Sequence, residues 1–491
     1  MDAPTTSTDE PSIAVTGLAA MGAALARNIA GTGRTVHVHN RTPERTRTLV
    51  DEHGAEGLVG ADDLDALIAD MEPPRLVIAM IASGPPIDDL IGQLRERLDP
   101  GDVIVDAGNS DFRDTERRAG RLTGTGIGFL GMGVSGGEEG ARLGPSLMPA
   151  GDRWAFELAE PVLVDIAARA TDGTPCCAYL GTGGAGHYVK MVHNGIEYAD
   201  MGAIAEAVEL LRRGGRDTDE MAAIVEGWNG GELGSFLLEI TARILRVVDD
   251  VDDDVVDDVV DGGTADRHLL LDRVADRASQ KGTGRLTTQE ALELGEPATT
   301  IAEATFHRSL SALVDRRRSA ALGDTTIDAR PSGIDPDDTA AALLACRLVA
   351  LAQGFDLLAA GSEAHGWELD LPRVAEIWRA GCIIRSVLLD PIAEALRTDG
   401  PHLVTSPAVG RRLDEATPGW RRTTVAAIGA GVPVPVMSSA LAWRDALATD
   451  RLPTALIQAQ RDVFGAHTYE RTDRDGTFHS SWTPTRPGTH P

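Results

Sequence analysis

The feature of this sequence that most constrains its fold is a glycine-patterned turn near the N-terminus. A short apolar strand at residues 12–16 leads into GLAAMG at residues 17–22 and then into a helical segment at residues 23–30. In such a unit the first glycine permits a tight turn, and the start of the helix faces the pyrophosphate of a dinucleotide. Ala19, at the second glycine position, leaves this close approach possible. The pattern predicts a Rossmann-type domain whose cofactor contacts include Gly17, Leu18, Ala19, Ala20, Met21 and Gly22.

The end of the second predicted strand indicates which dinucleotide binds. Residues 35–39 form this strand and lead into Asn40, Arg41 and Thr42. An NAD enzyme carries a carboxylate here for the ribose hydroxyls, whereas a guanidinium suits the 2′-phosphate of NADP. The sequence therefore predicts NADP as the cofactor. Further strands at residues 76–80, 103–106 and 128–130 are spaced for a parallel sheet with helices between them.

Two glycine-rich segments are associated with the later strands. DAGNS at residues 106–110 ends one strand, and GMGVSGGEEGA at residues 131–141 follows the next. Ligands bind at the carboxyl ends of parallel strands in open sheets. Ser135, Gly136 and Gly137 can offer a hydroxyl and backbone N–H groups to an anionic or polyhydroxylated substrate. A purely structural turn is the alternative, which glycine content alone leaves open.

The chain has only two lysines, Lys190 and Lys281, among its 46 Lys+Arg residues. A guanidinium stays protonated at any working pH, whereas a buried ammonium can lose its proton. A site that needs a titratable amine would therefore keep lysine where other positions have lost it. The two lysines are the first candidates for chemistry, with compositional drift as the alternative.

Lys190 lies in a predicted long helix with one continuous polar stripe. At about 100° per residue, Lys190, His193, Asn194, Glu197 and Tyr198 fall within an arc of roughly 140°. Most other positions from 189 to 201 are apolar, which predicts a buried helix whose stripe faces a polar cavity. A solvated face is the alternative. The stripe offers donors, acceptors and acid/base groups to one small ligand.

The later sequence changes character. From about residue 185 the strand patterns give way to long amphipathic segments, and residues 451–491 are rich in Pro, Thr, Arg and His. The predicted architecture is an α/β Rossmann-type domain at 1–184, a large all-α domain at 185–450, and an extended C-terminal tail at 451–491. The aspartate-rich run at 247–261 predicts an amphipathic helix with an acidic outer face. It lacks the mid-loop glycine and closing glutamate of an EF-hand.

Composition limits the partners and the compartment. Asp+Glu number 75 against 46 Lys+Arg, a net charge of −29, which argues against nucleic acid and anionic membranes as partners. The first ten residues are polar, and no stretch reaches the ~18 apolar residues that would span a membrane. We expect a soluble cytoplasmic protein adapted to salt, although a GC-rich genome alone could remove lysine. Four cysteines are expected to be buried thiols: Cys176, Cys177, Cys346 and Cys382.

Taken together, the motifs of this sequence resemble those of a known enzyme family. Over nearly its whole length the chain resembles the decarboxylating 6-phosphogluconate dehydrogenase family, in its long two-domain form. Besides the motifs above, the resemblance rests on GVSGGEEGAR (133–142), GAGHYVKMVHNGIEY (184–198), QKGTG (280–284), IWRAGCIIRS (377–386) and QAQRDVFGAHTYERTD (458–473).

The resemblance implies a reaction and roles for residues. It implies oxidation of 6-phosphogluconate by NADP with loss of CO2, a step of the oxidative pentose phosphate pathway and of gluconate utilization. Lys190 would act as base and then acid, and Glu197 would donate a proton to the enediol. No metal is expected, because decarboxylation of a β-keto acid needs only an electron sink.

The resemblance also implies which residues bind the ligands. Cofactor contacts would come from Ile81, Ala82, Ser83 and Asn109. Substrate contacts would come from Asn109, Ser135, Gly136, Gly137, His193, Asn194, Tyr198, Lys281 and Arg308. Arg461 and His467 would reach the substrate from the tail of a partner subunit, which makes the predicted active form a homodimer.

The sequence also departs from the family pattern. Ala82 stands where the family usually has a lysine, Ala107 and Ala150 replace glycines, and Leu286 replaces a tryptophan. These changes bear on cofactor affinity more than on catalysis. Two alternatives remain: a related β-hydroxyacid dehydrogenase acting on a small acid without phosphate, and a non-catalytic NADPH-binding regulator.

Overall fold

The computed structural model describes residues 10–249, 269–280, 282–320 and 333–482. Lys281 and residues 250–261 of the aspartate-rich run lie outside the described residues. The chain divides into two compact units, Met1–Ala440 and Leu441–Pro491.

The first unit begins with a seven-stranded sheet of order β3-β2-β1-β4-β5-β6-β7. Strands β1 to β6 pair in parallel, and β7 runs antiparallel to β6. The order reverses between β1 and β4, which is where open sheets of this kind bind ligands. The strands are β1 Ser12–Thr16, β2 Val36–His39, β3 Leu58–Ala61, β4 Arg75–Ala79, β5 Val103–Asp106, β6 Gly128–Ser135 and β7 Ser146–Gly151.

Helices cover both faces of this sheet, and the strands are accordingly apolar on both faces. Val15 faces one hydrophobic core and Ala14 faces the other. The helices are α1 Ala20–Ala30, α2 Pro43–His53, α3 Leu64–Ala69, α4 Pro85–Arg95, α5 Phe112–Leu122, α6 Gly137–Leu143 and α7 Arg153–Ile166. The predicted Rossmann-type domain is confirmed, but β3 and β7 were not predicted.

The rest of the first unit is helical, as predicted. Two long helices, α8 and α15, pack against each other, and α8 also lies on β6 and β7. Gly354 of α15 allows the close contact, because a Cβ there would lie 2.4 Å from Cδ1 of Ile196. The helices are α8 Ala185–Arg213, α9 Thr218–Asn229, α10 Phe236–Ile244, α11 Leu270–Arg273, α12 Thr283–Leu294, α13 Thr299–Ser311, α14 Val314–Ala320, α15 Pro336–His365, α16 Leu371–Ile377, α17 Leu389–Thr398 and α18 Pro407–Gly429. A further helix, α19 Pro435–Leu447, begins in this unit and ends beyond Ala440.

Helix α15 is long and apolar enough, by length and composition, to cross a membrane. Its most apolar window is 83% buried inside the fold, as is typical of a core helix in a soluble protein. The sequence expectation was that no stretch reaches ~18 apolar residues, and Arg347 and Asp356 do interrupt this helix. The four cysteines, all within the described residues, are buried thiols as predicted.

The second unit contains α20 Thr454–Gly465 and a two-stranded hairpin of β8 Tyr469–Glu470 and β9 Thr477–Phe478. The segment predicted as an extended tail is therefore partly regular. Asp462 organises it, because this buried carboxylate accepts bonds from the backbone N–H groups of Thr468 and Ser480, at 3.0 Å each. It also accepts bonds from the indole of Trp482 at 2.7 Å and the ring of His479 at 2.9 Å.

We predict that Asp462→Ala loosens this second unit, because four donors lose their common acceptor. The variant is expected to be cut faster by a protease within residues 466–482 and to retain the melting temperature of the first unit. Glu470→Ala, an exposed change on the hairpin, is the matched control and should leave cleavage unchanged. Equal cleavage of the three proteins would contradict the prediction. Limited proteolysis followed by mass spectrometry measures it.

Candidate active site

The glycine turn has the geometry that close approach to a dinucleotide requires. Gly17 has φ of 94°, and a Cβ there would lie 2.3 Å from Cγ2 of Ile81. A Cβ on Gly22 would lie 1.8 Å from the carbonyl oxygen of Gly17. Ala19, at the N-cap of α1, has no side-chain oxygen to bond the first N–H groups of the helix. These N–H groups can therefore bind a pyrophosphate.

Asn40 holds the glycine turn in place rather than only facing the ligand. Its Oδ1 accepts a bond from the backbone N–H of Leu18 at 3.0 Å, and its Nδ2 donates to the carbonyl of Thr42 at 3.1 Å. The side chain of Arg41 beside it is exposed. The two residues thus have different roles. The amide of Asn40 fixes the turn, and the guanidinium of Arg41 is free to reach a ligand.

A cavity of about 920 Å³ lies at the carboxyl ends of β1, β2, β4 and β5. The predicted cofactor residues in its wall are Gly17, Ala19, Ala20, Met21, Asn40, Arg41, Thr42, Ile81, Ala82 and Asn109. Within the described part of the chain, Leu18, Gly22 and Ser83 do not line it. Sequence reasoning missed Arg45, Asp62, Asp65 and Arg97, which also line it and which have no motif to mark them.

Lys190 is buried where α8 lies on the sheet. A Cβ on Gly133 of β6 would come within 2.5 Å of the Lys190 Cβ, so this strand has room for the helix only because residue 133 is glycine. The lysine is 7% exposed. Burial lowers the pKa of its amine below the ordinary value, against the opposing influence of Glu197 and Cys382. An amine in this position can release its proton nearer neutral pH than a surface lysine.

His193 connects the stripe to the end of β6. Its Nε2 lies 3.2 Å from the hydroxyl oxygen of Ser135, and its Nδ1 lies 3.1 Å from Oδ1 of Asn194 and 3.5 Å from Nζ of Lys190. Burial, with the nearby Lys190, holds the pKa of His193 well below its ordinary value. The ring is therefore neutral at working pH and positions its neighbours by hydrogen bonds.

Glu197 lies about two turns beyond Lys190 on the same helix. Its carboxylate is 3.7 Å from Nδ1 of His193, and its side chain is 20% exposed. Burial raises the pKa of Glu197 above its ordinary value, against the lowering influence of Lys190 and Arg308. A base with a lowered pKa and an acid with a raised pKa thus share one helix face, an arrangement typical of acid/base sites.

Tyr198 and Arg308 meet at the edge of this stripe. The guanidinium carbon of Arg308 is 3.5 Å from the centre of the Tyr198 ring, and a Cβ on Gly284 would lie 2.6 Å from that ring. Arg308 also donates to the carbonyl of Ser279, at 3.3 Å. The segment around Lys281 is thus close to Arg308 and Tyr198, as its predicted role requires, although Lys281 itself lies outside the described residues.

The strand end that carries Ser135 differs in detail from the prediction. β6 runs through to Ser135, so this serine is the last strand residue rather than part of a loop. Gly136 and Gly137 follow with φ of 120° and 65°, which favour glycine. A Cβ on Gly136 would lie 2.6 Å from the carbonyl of Gly381. Asn109, at the neighbouring strand end, is exposed.

The IWRAGCIIRS segment, residues 377–386, packs against the His193 and Lys190 side chains of this site. The Trp378 ring centre is 5.5 Å from that of His193, and Cys382 is close enough to influence the Lys190 amine. The motif contributed to the family resemblance, but nothing in the sequence indicated that it packs behind the stripe. Arg461 and His467 belong to the second unit, where both side chains are exposed. Within the described ranges, no group of three or more His, Cys, Asp or Glu residues is arranged to hold a metal ion.

The doubly wound sheet, the glycine turn and the buried acid/base pair define a dinucleotide-dependent oxidoreductase. Residues 12–181 match the NAD binding domain of 6-phosphogluconate dehydrogenase, and residues 186–482 match the 6-phosphogluconate dehydrogenase C-terminal domain. The chain belongs to the 6-phosphogluconate dehydrogenase family, which confirms the resemblance seen in the sequence.

Individual relatives match over almost the whole chain. "6-Phosphogluconate dehydrogenase, decarboxylating" of Synechococcus elongatus is 44% identical over 475 residues, which cover 95% of this chain and 98% of the relative. The Escherichia coli protein of the same name is 42% identical over 476 residues, 96% of this chain and 98% of the relative. A solved structure of Plasmodium falciparum 6-phosphogluconate dehydrogenase, studied with its cofactor NADP+ and its substrate 6-phosphogluconate, has a TM-score of 0.88 and 36% identity. It covers 96% of this chain and 100% of its own.

Proposed function

We propose that this chain converts 6-phospho-D-gluconate to D-ribulose 5-phosphate and CO2 while reducing NADP. The observation that carries the proposal is the buried face of α8, on which Lys190 and Glu197 have pKa values shifted toward each other by burial. The cavity at the sheet edge can hold NADP, because its glycine turn suits the pyrophosphate and Arg41 suits the 2′-phosphate. When bound, NADP accepts the hydride from C3.

The residues of α8 would then move the protons. Neutral Lys190 accepts the proton of the C3 hydroxyl as the hydride leaves, which gives a 3-keto acid. This intermediate loses its C1 carboxylate as CO2, and protonated Lys190 returns its proton to the carbonyl oxygen as negative charge accumulates there. Protonated Glu197 then donates a proton to the former C2, which becomes C1 of ribulose 5-phosphate, while neutral Lys190 accepts the proton of the enediol hydroxyl on the former C3. His193 and Asn194 orient the substrate from the same helix face.

The phosphate group needs cations, which are scarce in a chain of net charge −29. Arg308, which lies beside Tyr198, and Lys281 would supply them. Asn109, Ser135, Gly136 and Gly137 would bind the polyol and carboxylate. Arg461 and His467 of the partner subunit would complete the site, so the active form is a homodimer. Support for this last step comes from α20, where Leu456, Val463 and Phe464 are exposed apolar residues suited to an interface.

The domain boundaries and the cellular compartment of this enzyme are part of the proposal. A cofactor domain at 1–184 is supported by α8 beginning at Ala185, and a tail at 451–491 is supported by the compact unit that starts at Leu441. The helical domain occupies 185–450. Free buried cysteines fit a reducing cytoplasm. The excess of acidic residues and the near absence of lysine fit a cytoplasm rich in salt.

One assay tests the proposed function. NADPH formation and CO2 release are measured with 6-phosphogluconate and either NADP or NAD, in low and high salt. We expect both products in equal amounts with NADP, and higher activity in high salt. NADPH without CO2 would indicate a simple hydroxyacid dehydrogenase, and binding of NADPH without turnover would indicate a regulator. 3-Hydroxyisobutyrate, which lacks phosphate, serves as the control substrate.

Arg41 is expected to determine the cofactor preference. Arg41→Ala should lower the affinity for NADP by roughly ten- to a hundredfold, because a charge-assisted contact to phosphate contributes about 1.5–3 kcal/mol. The kcat/KM with NAD should change little, since NAD lacks the 2′-phosphate. Arg47→Ala, on the helix that follows Arg41 and paired with Asp62, is the matched control. Equal kcat/KM with both cofactors in the unmutated enzyme would contradict the assignment.

A further inference from the structure

Two loops in the wall of the cofactor cavity are held from behind by one arginine. The loop between β4 and α4 contributes Met80, Ile81 and Ala82 to the wall, and the loop between β5 and α5 contributes Ala107, Gly108 and Asn109. Arg118 of α5 is 0% exposed. It therefore cannot touch a ligand in the cavity, and any effect it has on binding must act through these loops.

The guanidinium of Arg118 bonds to both loops at once. Its Nη1 donates to the hydroxyl of Ser110 at 3.0 Å and to Oδ2 of Asp106 at 3.3 Å, which fixes the β5 side. Its Nε donates to Oδ1 of Asp88 at 3.1 Å, and its Nη2 donates to the carbonyl of Gly84 at 3.4 Å, which fixes the α4 side. A lysine could not span these partners, because it carries one donor group rather than a planar fork.

Asp106, which Arg118 holds in place, in turn bonds to the residues on both sides of the exposed Asn109. Its Oδ1 accepts a bond from the backbone N–H of Gly108 at 3.1 Å, and its Oδ2 accepts one from the Ser110 hydroxyl at 2.7 Å. Asn109, which lines the cavity, is thus flanked by two residues bonded to the same buried carboxylate. Removing Arg118 would leave that carboxylate without its cation in an interior where unpaired charge is unfavourable.

We propose that Arg118 is a positioning residue that sets the separation of these two loops and thereby the affinity for the nicotinamide half of NADP. This rests on the proposed cofactor. Arg41 follows β2, on the far side of the point where the strand order reverses, and receives the adenosine half with its 2′-phosphate. The loops after β4 and β5 therefore face the nicotinamide half.

The test compares the dissociation constants of NADPH and of 2′,5′-ADP, a fragment limited to the adenosine half, for three proteins. Arg118→Lys is expected to weaken NADPH binding by about tenfold, because displaced loops lose hydrogen bonds to the cofactor and the loss of one or two such bonds has an effect of this size. The variant should bind 2′,5′-ADP as the unmutated protein does. Arg117→Lys is the matched control: Arg117 also bonds Asp88, at 2.9 Å, but is 38% exposed. It should change neither constant.

The possible results distinguish a positioning role of Arg118 from a general loss of protein stability. Equal weakening of NADPH and 2′,5′-ADP, or unchanged NADPH affinity, would overturn the role of Arg118. Should Arg118→Lys not fold, Asp88→Asn weakens the α4 side of the same clamp, because it removes the charged partner of Arg118 at a partly exposed position, and is expected to give the same selective loss. An unmutated protein that binds 2′,5′-ADP but not NADPH would overturn the cofactor assignment itself, and this proposal with it.

Discussion

Lys190→Arg is expected to abolish measurable turnover although it keeps the positive charge. Proton transfer by a positioned side chain contributes about a hundred- to ten-thousandfold, and a guanidinium cannot accept the proton of the C3 hydroxyl at working pH. Lys190→Met, which has no charge, should be similarly inactive, so loss of the base rather than loss of charge accounts for both. The measurements are kcat with 6-phosphogluconate and the dissociation constant of NADPH, which we expect to be unchanged. Arginine activity within a few-fold of the unmutated value would exclude Lys190 as the base.

The pH dependence follows from the same pair of residues. Burial lowers the pKa of Lys190 and raises the pKa of Glu197, so the unmutated enzyme should show a bell-shaped profile of kcat/KM. Activity falls at low pH as Lys190 becomes protonated, and it falls at high pH as Glu197 loses the proton it must donate. Glu197→Gln should lower kcat and remove one limb of the bell. A variant profile with both limbs unchanged would contradict the role of Glu197.

Truncation after residue 450 is expected to remove activity and leave NADPH binding intact. It deletes Arg461 and His467, two predicted contacts to the substrate, and each such contact is worth roughly tenfold or more. Because the proposed contacts cross to the other subunit, inactive subunits should complement each other. Mixing Lys190→Ala with Arg461→Ala in equal amounts should restore about a quarter of the activity, since half of the dimers are hybrids with one intact site of two.

Complementation separates this arrangement from a tail that serves its own subunit. If proven hybrid dimers show no activity, Arg461 acts within its own chain. Arg451→Ala provides a matched tail variant, because Arg451 is exposed ahead of α20 and has no predicted substrate contact. It should be fully active alone. NADPH binding by the truncated protein shows that the first unit still folds.

The parts of the molecule that could be predicted are those set by the conformational preferences and periodicity of residues close together in the sequence. The turn at Gly17 follows from backbone geometry that glycine adopts readily, and the stripe from Lys190 to Tyr198 follows from the period of a helix. Strand β6 was predicted too short because its glycines weaken the apolar pattern, although Gly133 is what allows α8 to pack on it. The helix α20 was missed because composition over the whole tail concealed twelve regular residues.

The contacts that sequence reasoning missed join residues far apart in the chain. Gly136 meets the carbonyl of Gly381, and the ring of His193 meets that of Trp378. Nothing local to either partner indicates such a meeting, because the contact depends on how β6, α8 and the segment after α16 assemble. The clamp of Arg118 is similar: neighbouring arginines at 117 and 118 look alike in sequence, and only the fold buries one of them.

Gly133 has a consequence for how this protein can be redesigned. The helix that carries Lys190 lies directly on a strand backbone, so the depth of its amine is set by two rigid elements and not by a loop. A methyl group at residue 133 would lie where the Lys190 Cβ already is, whereas Arg41 and Ala82 stand on loops at the open edge. Engineers who wish to exchange the cofactor can therefore change the exposed side chains on these loops, while the strand beneath Lys190 has a tolerance smaller than one carbon atom.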